Sequence, residues 1–172
     1  MFELSIASFL LLFGYLVAMG IRYGVPSMVS DTYYQLKSYG WVFTLILVTC
    51  SLLMMACILP SEKGIQPLAF VGLSGLAFVG CAPNYLQKDE YRVHKAAAIV
   101  SAIGCTGWCL SVFPWVTVAI AAVYVLYLIA TDICKAANSI WYISKDVEFH
   151  PWYWAEVSAF ADVFVTWWVV NL

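Results

Sequence analysis

The segment Phe149–Trp168, FHPWYWAEVSAFADVFVTWW, decides how this chain is read. It opens on a histidine, a proline and an aromatic cluster, passes Glu156, and carries Asp162 into an otherwise apolar run. Ser158, Asp162 and Thr166 recur at i, i+4 and i+8, which puts them on one face of a helix beginning near Pro151. At 1.5 Å per residue, Asp162 lies roughly 16 Å from Pro151, near the middle of a bilayer core about 30 Å thick. A carboxyl at that depth must be neutral or hydrogen-bonded, so the stripe is expected to face protein or a cavity rather than lipid. A structural hydrogen bond and a functional role for Asp162 are both open on this reading.

The composition around that segment is that of a membrane protein. Hydrophobic residues make up 64% of the chain and charged residues 10%, against roughly 45–50% and about 25% in soluble domains. Mean hydropathy is +0.88. No charge falls between Ala96 and Thr131. A net charge of −2 with no basic stripe gives no support to a nucleic-acid partner. The six cysteines lack zinc-finger or C-x-x-C spacing and read as buried free thiols.

Runs of roughly 20 apolar residues, punctuated by Gly, Pro and charge, predict an all-α bundle of six transmembrane helices in a single domain, residues 1–172. The spans are placed near 4–21, 41–59, 66–81, 94–113, 114–134 and 151–170. The first is kept as a mature span because the only early charge is Glu3 rather than a basic n-region. Phe113-Pro114 predicts a tight turn between the fourth and fifth spans. The connection Lys135–His150 reads as an interfacial helix or an extension of the fifth helix.

Six spans bring the three long connections to one side with Arg22, Lys37, Lys88, Arg92, Lys95, Lys135 and Lys145, leaving Lys63 on the other. That bias predicts cytoplasmic long loops and both termini outside. Trp41, Trp141, Trp152 and Trp154 on one side, and Trp115, Trp167 and Trp168 on the other, read as interfacial belts. In the fourth span Ala97, Ser101, Cys105 and Cys109 form a stripe of small residues suited to close helix approach, with His94 opening the same face.

Imidazoles and carboxylates on the long-loop side could bind a divalent metal and activate water; His94, His150 and Asp31 are the candidate ligands. No cofactor is indicated by a motif: the chain has no H-E-x-x-H, nucleophile elbow, P-loop or dinucleotide fingerprint, and no lysine at mid-membrane.

The segments Gly24-VPSMVSDTYY-Gln35 and Glu90-YRVHKAAA-Ile99, and Glu156 near the start of the last helix, resemble the FRAG1/DRAM/Sfk1 group and its bacterial DUF998-like relatives, six-span membrane proteins. The resemblance implies a small membrane protein working on or around lipids, in GPI-anchor lipid remodelling, phospholipid distribution or lysosomal membrane function. It marks Ser30, Asp31, His94 and Glu156 as candidate catalytic or binding residues, expected to converge at one membrane face. Val157 stands where that group is expected to carry tryptophan. A more distant likeness to the CREST membrane hydrolases would imply a metal-dependent lipid hydrolase, whose zinc site needs one histidine more than this chain has. Three functions follow as expectations: a lipid-associated protein with membrane lipids as partners, a non-catalytic accessory subunit packed against other membrane-protein subunits, or a small transporter or channel using Asp162.

Overall fold

A computed structural model describes residues 1–141 and 149–172. Among them are six helices of 16 residues or more: α1 (Phe2–Tyr23), α2 (Trp41–Ile58), α3 (Gln66–Cys81), α4 (Lys88–Val112), α5 (Pro114–Trp141) and α6 (Pro151–Asn171). No strand occurs among the described residues. Four segments are long and apolar enough to cross a membrane: Phe2–Tyr23, Lys37–Ser61, Lys88–Val112 and Pro114–Lys135. The apolar α3 is shorter, at 16 residues, and Glu156, Asp162 and four tryptophans dilute the hydropathy of α6.

Local chemistry sets the helix ends. Pro67, Pro114 and Pro151 lie in the first turns of α3, α5 and α6, where a missing N–H costs nothing. Only Phe113 separates α4 from α5, the tight turn its Phe-Pro sequence predicts. α4 begins at Lys88, six positions ahead of the apolar run, since charged residues propagate a helix as readily as apolar ones once it leaves lipid. α5 continues past the apolar run to Trp141. The rest of the Lys135–His150 connection, including Lys145, falls on residues 142–148, outside the described residues.

The chain alternates direction through the bundle. At one end Cys57 Sγ meets the Met1 carbonyl, Trp108 Nε1 donates to the Lys63 carbonyl at 3.0 Å, and Lys63 Nζ reaches Asn171 Oδ1 at 3.0 Å and the Val170 carbonyl. At the other end the connection after α1 meets the α3–α4 connection and the start of α6. The core between them holds Leu12, Leu16, Phe43, Leu47, Met54, Leu73, Trp108 and Phe164.

The most extensive packing is α3 on α4. A Cβ on Gly104 would lie 2.6 Å from Gly72 Cα, and one on Gly75 would lie 2.8 Å from the Ser101 backbone N. Such backbone approach is how helices gain dispersion contact in lipid, where no hydrophobic force drives them together. The small-residue stripe of α4 thus meets glycines of α3. α5 is the least embedded, with only 11% of its apolar window buried.

Two expectations change. Cys50, Cys57 and Cys109 are buried, but Cys81 and Cys134 are exposed thiols, because they stand on helix faces no neighbour covers. Trp167 belongs to the core rather than to a belt, at 3% exposed, and Trp168 Nε1 donates to Ser5 Oγ at 3.0 Å. Their helix face points at α1, where Phe9 and Phe13 stack beside Phe164 and Trp168.

Candidate functional site

The connection between α1 and α2 is built by its own short polar residues. Asp31 Oδ2 accepts the Met28 N–H at 3.0 Å, and Thr32 Oγ1 donates to the Val29 carbonyl at 2.7 Å, closing a 3₁₀ turn over Val29–Asp31. Tyr15 of α1 donates to Thr32 Oγ1 at 2.7 Å and holds that turn against the bundle. Tyr34 ties it to the α3–α4 connection, accepting the Leu86 N–H at 2.9 Å and donating to Asn84 Oδ1 at 3.3 Å.

The turn delivers Ser30 to His94. Ser30 Oγ lies 3.1 Å from His94 Nε2, and His94 Nδ1 lies 2.8 Å from the Ala82 carbonyl. A carbonyl oxygen can only accept, so Nδ1 carries the proton. In the neutral imidazole Nε2 is then the bare nitrogen, and the Ser30 hydroxyl donates to it. Position 94 reaches both partners because α4 starts early, at Lys88, while α3 ends at Cys81 with Ala82 as its C-cap.

Glu156 arrives from the second turn of α6, and its Oε2 accepts the Val29 N–H at 2.6 Å. Asp31 accepts the Tyr85 hydroxyl on Oδ1, and the Tyr85 ring packs against the His94 ring with centroids 5.1 Å apart. Burial and the Asp31 carboxylate push the Tyr85 phenol above its ordinary value. Ser30, Asp31, His94 and Glu156 thus occupy one end of the bundle, connected through Val29 and Tyr85, with the Ala82 carbonyl orienting His94. Those three supporting groups were missed in sequence: two are backbone atoms, and Tyr85 is one of eleven tyrosines with no distinguishing neighbour pattern.

Beside this cluster lies a cavity of about 120 Å³. Its walls are apolar, among them Leu12, Leu47, Met54, Leu73, Phe160 and Val163, and Ala98 and Ala102 leave room along α4. Ser30 and Glu156 stand in the same lining.

The metal candidates do not assemble. Among the described residues no three His, Cys, Asp or Glu side chains are placed to hold an ion. Both ring nitrogens of His94 are engaged, and Asp31 serves Met28 and Tyr85. His150 sits half-buried at the N-cap of α6, its carbonyl accepting the Trp154 N–H at 3.2 Å.

The α6 stripe turns inward. Asp162 is 5% exposed, and its Oδ1 accepts from Thr117 of α5 at 3.1 Å and from Thr166 at 3.3 Å. Thr166 is fully buried, while Ser158 is only half-buried. No protein-family model, curated protein or solved structure matches this chain.

Proposed function

We propose that this chain crosses the membrane six times and holds a membrane lipid, with part of an acyl chain in the central cavity and the polar part of the lipid toward Ser30 and Glu156. The observation that carries the reading is the cavity itself: its lining is apolar apart from Ser30, Ser101 and Glu156, two of which belong to the polar cluster beside it, so it offers an apolar tail and a polar group their own contacts. The long connections are assigned to the cytoplasmic side on the basic bias, with both termini outside. The resemblance to the FRAG1/DRAM/Sfk1 group supports the same lipid-associated role.

Native mass spectrometry of protein released from nanodiscs of ether-linked phospholipid tests it, comparing the parent with Ala102→Phe, which places a ring in the cavity. The parent should retain a lipid adduct that the variant loses while remaining folded. Equal adducts on both proteins would remove the cavity from the account.

The accessory-subunit reading draws on α5, whose exposed face carries Val123, Leu126, Ile129 and Ile133. Lipid covers such a face as well as a partner does, so a stoichiometric protein partner co-purifying from the native membrane would be needed to favour it. Asp162 is held by two threonines, an arrangement that supports a structural node joining α5 to α6 over a transport role.

A further inference from the structure

We propose that Ser30 and His94 form a nucleophile and general base that cleave the carboxylic ester of the lipid held in the cavity. The inference rests on the lipid-binding reading and adds to it a reaction, a substrate class and a metal-independent mechanism.

Three features converge on these two residues. The first is the direction of the hydrogen bond: the Ala82 carbonyl fixes the proton on Nδ1, so Nε2 faces the Ser30 hydroxyl as an acceptor at 3.1 Å. A nucleophile within hydrogen-bond reach of a base that is itself oriented by a third group is the arrangement that activates serine. The second is burial with access: Ser30 is 6% exposed overall yet lines the cavity. A lipid in the cavity therefore touches the residue that carries the hydroxyl. The third is support, since the turn carrying Ser30 is fixed by Asp31, Thr32, Tyr15 and Glu156, and a rigid turn keeps the hydroxyl on the imidazole.

The step balances with water as the only co-reactant. Ser30 Oγ adds to the ester carbonyl carbon as its proton passes to His94 Nε2. The carbon–alkoxy bond then breaks, and the alkoxy oxygen leaves as an alcohol with that proton. Water adds to the acyl-serine, giving a proton to His94. The Ser30 Oγ–acyl bond breaks, Ser30 recovers the proton, and a fatty acid is released. Glu156 acts as a positioning residue through the Val29 N–H.

A long-chain alkyl fluorophosphonate is the direct probe. Its phosphorus would bond to Ser30 Oγ with loss of fluoride, the hydroxyl proton passing to His94. Incubated with the full-length protein in nanodiscs, the probe should label the parent stoichiometrically at Ser30, read by peptide mass spectrometry. Ser30→Ala should abolish labelling, and His94→Gln, which keeps a hydrogen-bonding side chain without a comparable base, should slow it by about 100-fold or more. The parent's rate should also fall at acid pH as the imidazole protonates. Absence of labelling on the folded parent, or an unchanged rate in His94→Gln, would overturn the proposal. An ether-linked phospholipid, which this step cannot cleave, separates the two readings: an adduct retained on the parent with Ser30 unlabelled defeats the nucleophile and leaves lipid binding standing, whereas no adduct on the parent defeats both.

Discussion

The backbone N–H of Val29 donates to Glu156 Oε2 at 2.6 Å, joining groups 127 positions apart in the sequence. This bond fastens the turn that carries Ser30 to the start of α6. Glu156→Gln keeps an acceptor oxygen and should leave the turn in place. Glu156→Leu leaves a part-buried N–H without a partner, which costs about 1–3 kcal/mol. Thermal unfolding in detergent should separate the two variants, and equal melting of Glu156→Gln and Glu156→Leu would show that the bond does not hold the turn.

Asp162 is predicted to be a hydrogen-bond node. Asp162→Asn retains an oxygen for Thr117 and Thr166 and should lie within about 1 kcal/mol of the parent, while Asp162→Leu strands both hydroxyls and should cost about 1–3 kcal/mol. A leucine variant as stable as the parent would contradict the node.

The burial of Asp162 and Thr166 was legible because period and polarity are written directly in sequence, while Ser158 on the same stripe stays half-buried. The extent of α3, Gln66–Cys81, was equally plain, set by Pro67 behind Gly64 and by the charged connection that follows. The start of α4 was not, since hydropathy locates where a helix enters lipid rather than where it begins. The pairing of Ser30 with His94 depends on the Ala82 carbonyl and on a turn closed by Asp31, and neither leaves a pattern. The cavity was invisible as well, for a void is a property of how Ala98, Ala102, Phe160 and Met54 fail to meet.

Close contact between α3 and α4 predicts a sharp response to added bulk. Gly104→Val should destabilise by about 1–3 kcal/mol or more, because its side chain would enter the backbone of Gly72. Gly14→Val on α1, where a Cβ meets nothing within 4 Å, is the control. Similar melting of these two variants would argue against the glycine crossing.

Tyr85 supplies a pH dependence. Its folded-state value is raised above the ordinary 10.0 by burial and by its bond to Asp31. The stabilisation is therefore complete below 10.0 and is lost as pH rises through the folded-state value. Tyr85→Phe should be less stable than the parent at neutral pH, and the gap should close in strongly alkaline solution. A gap that stays constant with pH would contradict the assignment.

The proposed function places an acyl chain inside the bundle, and photocrosslinking tests that most directly. A phospholipid carrying a diazirine within one acyl chain, reconstituted with the protein and irradiated, should leave adducts on cavity residues such as Met54, Leu73 and Phe160, and Ala102→Phe should abolish them. Adducts confined to outer faces, such as Val123, Leu126 and Ile129 of α5, would show that lipid only surrounds the bundle and would contradict the central claim.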